Sequence, residues 1–218
     1  EGIQNWIGSR QPIPTRHWGT PVDLPPPAIS TMGVEETIIK RGSTRRFEGS
    51  SVSREAFATI LESGLGQTPL DVTPPGSGTL VDTFIIVNAV DDLAPGIYFY
   101  DRMGRVLQKH EERETRLAMS HLALDQSLGG DAAFNIYFLA DLNLLLSQLG
   151  NRGYRAAQLD ASIAAGRAYL ATYSLGLGAT GLTFYDDEVL AYLGERAEGL
   201  SVMFLLAIGN PARGSRKW

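Results

Sequence analysis

The chain contains no cysteine, which excludes disulfides, thiolate zinc sites, iron–sulfur clusters and a cysteine nucleophile. Histidine is scarce: His17, His110 and His121 are scattered, with no carboxylate spacing of a metal site, and surface positions are expected for them. No apolar run reaches the roughly 18 residues of a membrane span. No secretory signal opens the chain, so a cytoplasmic protein with no membrane partner is expected. The first residue is Glu1 rather than Met, which leaves a longer polypeptide open. Positive charge is not in excess either. Nineteen Lys and Arg against 24 Asp and Glu give a net charge of −5, which argues against a nucleic-acid partner, since that needs a basic face. There is no internal repeat.

What is present is an ordinary globular composition. The 218 residues are 44% hydrophobic, enough for one large domain with a sizeable core. Residues 1–30 stand apart: Pro12, Pro14, Pro21 and Pro25-Pro26-Pro27, with Trp6 and Trp18, predict an extended arm whose tryptophans dock on something. Residues 31–218 are the folded domain.

Along that domain the pattern predicts helices at Val34–Lys40 and Ser53–Ser63, with Ser53 as N-cap. A loop at Thr68–Thr79 follows, then a buried strand at Phe84–Val90 and a hairpin of Ile97–Tyr100 with Arg105–Gln108. A helix at Glu111–Leu124, a strand at Phe134–Ala140 and a short helix at Leu142–Gln148 come next. Arg155–Tyr173 reads as the longest helix, apolar almost all round and therefore buried. A short helix at Asp186–Leu193, capped by Asp186, and a core strand at Ser201–Gly209 complete the chain. The hairpin breaks the alternation of a doubly wound sheet and points to α+β.

The chemistry concentrates in Arg41-Gly-Ser-Thr-Arg45-Arg-Phe47. In an extended segment Arg41, Ser43 and Arg45 point the same way, so two guanidiniums and a hydroxyl can converge on a dianion. A solvated basic end of the preceding helix explains the same residues, and spacing alone leaves both readings open. Arg213 and Arg216 are either a basic tail or a second pair of phosphate ligands. Gly176-Leu-Gly178-Ala-Thr-Gly181 matches the dinucleotide fingerprint in the wrong context, because a long helix precedes it. Its glycines still let backbone amides approach a flat ligand. Gly76-Ser77-Gly78 lacks the setting of a nucleophile elbow. Asp186-Asp187-Glu188 is read as a helix start rather than a cation site.

Together these pieces resemble the nitroreductase-like FMN flavoproteins, in particular the subgroup that includes peptide azoline dehydrogenases, from Gly2 to Pro211. Arg41-x-Ser43-x-Arg45-x-Phe47 is similar to that family's flavin-phosphate segment, and Leu93-Ala-Pro-Gly-Ile-Tyr-Phe-Tyr-Asp101 to the subgroup's hairpin. Gly150-Asn-Arg-Gly-Tyr-Arg155 and Leu175–Leu182 flank the helix that lies beneath the flavin in the family.

The resemblance implies an α+β three-layer sandwich with a central, mainly antiparallel sheet, and a homodimer formed through the long buried helix. It implies FMN held by Arg41, Ser43 and Arg45, with Arg213 or Arg216 assisting. Gly76 and the backbone of Gly181, Leu182 and Thr183 would also contact the cofactor. The expected activity is hydride transfer through flavin N5 to or from a small organic or peptide-derived substrate, with NAD(P)H as a candidate donor. Tyr154, Arg155 and Arg167 are the candidate catalytic residues, being nearest the resembling motifs. The substrate end departs from the subgroup: Gln148-Leu149 replace its Lys-Tyr pair, and Ser162-Ile163 and Gly166-Arg167 stand where Gly-His and Gln-Asn are common. An alternative follows, a catalytically degenerate domain acting as a structural or peptide-binding partner.

Overall fold

Runs of apolar and β-branched residues pair into a seven-stranded sheet, every named pair antiparallel, in the computed structural model, which describes residues 13, 16–30, 32–73 and 78–214. The strands are β1 (Thr20–Val22), β2 (Asp82–Val87), β3 (Gly96–Asp101), β4 (Val106–Glu112), β5 (Phe134–Ala140), β6 (Gly178–Leu182) and β7 (Ser201–Gly209), in the order β1-β4-β3-β2-β5-β7-β6. β5 is buried along its whole length between β2 and β7, as its unbroken apolar run requires.

Helices cover both faces, because alternate residues of each strand point to opposite sides. Ile85 and Val87 face α2 (Arg54–Gly64), α5 (Leu142–Leu149) and α6 (Arg152–Ser174), while Phe84 and Ile86 face α3 (Arg116–Leu122) and α7 (Asp186–Leu193). α1 (Val34–Lys40) packs on α6, and α4 (Ser127–Asp131) on α3. The result is the expected α+β three-layer sandwich.

Several boundaries differ from expectation for physical reasons. The helix read at Glu111–Leu124 starts only at Arg116, because Glu111 and Glu112 pair with Ile97 and Gly96 and extend β4. Cross-strand pairing there overrides the helix propensity of glutamate. β2 ends at Val87, where the amides of Asn88 and Ala89 turn to the carbonyl of Ala133. Asp186 is the first residue of α7 rather than its cap, a position taken by Tyr185. Ser53 does cap α2, its hydroxyl accepting from the amide of Ala56 at 3.1 Å.

α6 is the spine of the fold, but it is not apolar all round. Ala157, Ala161, Ala164 and Ala168 are buried, while Tyr154, Arg155, Leu159, Ser162 and Gly166 are exposed. The small residues permit a close helix crossing: a Cβ on Gly64 of α2 would lie 2.6 Å from the Cα of Ala168. One buried charge, Asp160, also faces inward from α6. It takes both Arg102 terminal nitrogens, at 2.8 and 3.0 Å, and the amide of Leu80 at 2.9 Å. Arg102 Nε donates to the carbonyl of Leu65 at 2.9 Å, so this pair ties the β3–β4 turn, α2 and α6 together.

Candidate functional site

The segment after α1 leaves the helix in extended conformation at Arg41 (φ −64°, ψ 131°). Alternation then decides which way its side chains point. Arg41, Ser43 and Arg45 are exposed, and Thr44 is fully buried. The segment is pinned from both sides. The amide of Thr44 donates to the carbonyl of Ala179 on β6 at 2.9 Å, and the amide of Glu48 to that of Asn210 at 2.9 Å. The amide of Ala212 donates to the carbonyl of Arg46 at 2.9 Å. That last bond sets Arg213 next along the chain from the residue paired with Arg46, and Arg213 is also exposed. Among the described residues, no carboxylate forms an ion pair with Arg41, Arg45 or Arg213. Lys40, by contrast, is paired with Glu36.

Two tyrosines of α6 lie under this segment. Tyr169 and Tyr173 stack with rings parallel within 6° at 6.2 Å. The guanidinium carbon of Arg41 is 5.4 Å from the Tyr169 ring centroid, within cation–π range. Tyr173 and Thr44 share a hydrogen bond between hydroxyls at 3.1 Å. The amide of Gly181 donates to the Tyr169 hydroxyl at 2.8 Å. Gly178 completes the fit: a Cβ there would lie 2.2 Å from Thr44 Oγ1, so only glycine lets β6 approach. Beyond it the strand ends in the exposed Gly181 and the half-buried Leu182, and the exposed Thr183 follows.

The remaining expected site residues fall in two places. Tyr154 is 49% exposed, its hydroxyl accepting from Gln158 Nε2 at 3.2 Å, and Arg155 beside it is exposed. Gln158 also reaches Met203 Sδ at 3.7 Å, two residues from Leu205, the partner of Leu182 across β6–β7. Arg167 lies twelve residues beyond Arg155, roughly 18 Å along the helix at 1.5 Å per residue. It donates to the carbonyl of Gln67 at 3.4 Å and lines a groove of about 350 Å³ with Thr37, Thr59, Ser63 and Leu170. Within one chain, then, Tyr154 and Arg155 are together and Arg167 is apart. Gly76 and Arg216 lie outside the described residues.

Thr44, Tyr169 and Tyr173 were not singled out from sequence, although alternation through residues 41–45 points Thr44 inward. Of the histidines, His17 and His121 have side chains exposed by half or more. His121 bridges Asp125 and Glu188 at 2.7 Å each, and its hydrogen bond to Asp125, followed by that to Glu188, raises its pKa. Among the described residues there is no His, Cys, Asp and Glu group suited to a metal ion, and no helix is long and apolar enough to cross a membrane.

Comparison with known proteins gives a consistent result. The model of the Nitroreductase family matches residues 38–209. Two proteins named "putative nitroreductase" are similar to the chain. One, from Methanocaldococcus jannaschii, is 29% identical over 178 residues, covering 78% of this chain and 89% of its own length. The other, a crystal structure from Anabaena variabilis, is 29% identical with a TM-score of 0.73; the match covers 82% of this chain but only 38% of that one. The NADPH:FMN oxidoreductase of Vibrio harveyi, solved with NAD+, shares the fold at 20% identity and a TM-score of 0.59, over 83% of this chain and 69% of its own.

Proposed function

Because the chain belongs to the nitroreductase family, its oxidoreductases being the nearest chemical precedent, we propose that it is an FMN-dependent oxidoreductase acting on a small organic or peptide-derived substrate. The observation that carries this reading is the exposed set Arg41, Ser43 and Arg45, two guanidiniums and a hydroxyl at alternate positions of an extended segment, with no carboxylate paired to either guanidinium among the described residues. Arg213 follows Ala212, whose amide is bonded to the carbonyl of Arg46, and is proposed to join them. Such a donor set fits a phosphate dianion, since guanidinium forks match phosphate oxygens and each charge-assisted bond is strong. The buried alternate, Thr44, holds the face in register against β6.

When bound, FMN supplies hydride transfer at its N5. The chain's own part would be to hold the phosphate at Arg41, Ser43, Arg45 and Arg213, and to approach the ring with the backbone of Gly181, Leu182 and Thr183, where a donated hydrogen bond would tune its electronics. Tyr154 and Arg155 are proposed for the substrate end. The name of the Vibrio harveyi protein supports a nicotinamide nucleotide as electron donor here. A homodimer through the exposed stripe of Leu159, Ser162 and Gly166 on α6 accords with that surface, since a self-complementary helix face favours two-fold pairing.

The second reading, a degenerate domain that binds without turnover, draws on one observation. Leu149 is 8% exposed and packs in the core, so that position carries no proton chemistry. The purified chain, reconstituted with FMN and gel-filtered, tests the main reading. Retained absorbance near ~450 nm, as expected of bound flavin, that bleaches with NADPH or NADH supports it. A colourless protein overturns it, and retained flavin that no nicotinamide bleaches favours the second reading.

A further inference from the structure

Gly181 and its neighbours line the edge of β6, where amides alternate between the paired and the open side. The carbonyl of Ala179 faces the open side, because it accepts from Thr44. Gly181, two residues on, also faces that side, and its amide is already taken by the Tyr169 hydroxyl at 2.8 Å. The next amide two residues on is Thr183's, one residue past the end of β6. Thr183 is exposed, and among the described residues its amide makes no hydrogen bond to the backbone or to a side chain.

Tyr169 is unusually well fixed for a helix tyrosine. Its ring stacks on Tyr173, which is itself bonded to Thr44, and the guanidinium of Arg41 covers its face. Opposite, a Cβ on Gly181 would lie 3.0 Å from Phe204 Cζ, so the strand has little room to shift towards that ring. The tyrosine therefore touches both ends of the candidate site, the phosphate cations through its ring and the ring-side strand through its hydroxyl.

We infer that Tyr169 is a positioning residue: by engaging the Gly181 amide it holds the end of β6 so that Thr183, not Gly181, presents the free backbone donor to the bound ring. This rests on the flavin reading above. The phenol acts through the strand and touches no reacting atom. Because its ring also supports Arg41, the two ends of the site share one strut.

The test uses the full ¹⁵N-labelled chain and amide exchange with and without FMN. Without FMN, the Gly181 amide is expected to exchange about tenfold or more slowly than Thr183's, the scale of one hydrogen bond near 1.4 kcal/mol. Adding FMN should slow Thr183 and leave Gly181 unchanged. Tyr169→Phe keeps the ring beneath Arg41 and removes only the acceptor. It should bind FMN within about threefold of the parent while freeing the Gly181 amide. A second donor near the reduced, more negative ring should favour it about tenfold, raising the two-electron midpoint potential by about 30 mV. If FMN protects Gly181 instead, or the variant's potential is unchanged with flavin bound, the inference is wrong while the flavin reading stands. If the parent binds no FMN, the flavin reading itself fails. Should Tyr169→Phe not fold, the exchange pattern of the parent decides alone.

Discussion

Arg41 and Gly181 are joined through one side chain: the guanidinium lies over the Tyr169 ring, and the amide donates to that ring's hydroxyl at 2.8 Å. Residues 140 positions apart in sequence thus share a support on α6. The consequence is that a substitution at Arg41 can be felt at Gly181, so the two ends of the proposed site must be measured separately.

For the phosphate end, each of Arg41→Ala and Arg45→Ala is expected to weaken FMN binding by about 1.5–3 kcal/mol, the scale of a hydrogen bond to a charged group. Neither has a carboxylate partner among the described residues, so no native ion pair is broken and stability should barely move. Titration by quenching of FMN fluorescence measures the affinity. An unchanged dissociation constant in the double variant removes these residues from the cofactor site.

The Arg102–Asp160 pair makes a sharper stability prediction. Both side chains are at most 2% exposed and form two short bonds. Removing one partner leaves a buried charge without compensation, which typically costs about 3–5 kcal/mol. Asp160→Ala should therefore shift the urea midpoint strongly. Arg102→Lys should recover only part of the stability, because an ammonium cannot repeat the two-pronged contact. An unfolding free energy within about 0.5 kcal/mol of the parent, roughly the scatter of ordinary surface changes, would show that the pair is dispensable.

Asp82 carries a pH signature. Burial pushes its carboxyl up to about 6, against the opposing pull of Arg16, whose guanidinium lies 3.3 Å away, and with a smaller upward push from Asp141. Between the unfolded value near 4 and the folded value near 6, the native state holds more protons than the unfolded chain. Stability from this group therefore falls as pH rises through that window, the reverse of an ordinary paired aspartate. Asp82→Asn mimics the neutral acid at all pH values. Relative to this variant, the parent should lose up to about 3 kcal/mol between pH 4 and pH 7. A parent–variant difference that is flat across that range removes the anomaly.

Much of this architecture was legible in sequence where one signal was dominant. The buried run Phe134–Ala140, the apolar Ser201–Gly209 and the segment Val34–Lys40 all have the bounds expected of them. Glu111 and Glu112 misled because their helix preference is local, whereas their pairing with β3 depends on a chain segment 14 or more residues earlier. In the site, alternation made the outward set Arg41, Ser43 and Arg45 readable. Tyr169 was not, since a tyrosine on a buried helix reads as core filler until the contact with Gly181 is seen.

The last prediction concerns the reaction the resemblance would suggest first. Oxidising a thiazoline or oxazoline removes a proton as well as a hydride, so it needs a base near the ring. At the positions where the resembling dehydrogenases carry Lys-Tyr, this chain has Gln148 and Leu149. Leu149 is packed in the core, and Gln148 Nε2 is buried without a hydrogen-bond partner. Neither can accept a proton. A positioned base contributes about 10²–10⁴-fold, so turnover of an azoline peptide by the flavin-loaded chain is expected to be slower by that order than it would be with such a base in place. Tyr154, half-exposed and hydrogen-bonded to Gln158, is the phenol proposed to substitute. Anaerobic mixing with an azoline peptide measures this directly, because turnover must bleach the flavin. Slow bleaching supports the prediction, and rapid bleaching abolished by Tyr154→Phe would assign the proton to that phenol. Rapid bleaching that survives the substitution would mean that the proton leaves by a route independent of residues 148, 149 and 154.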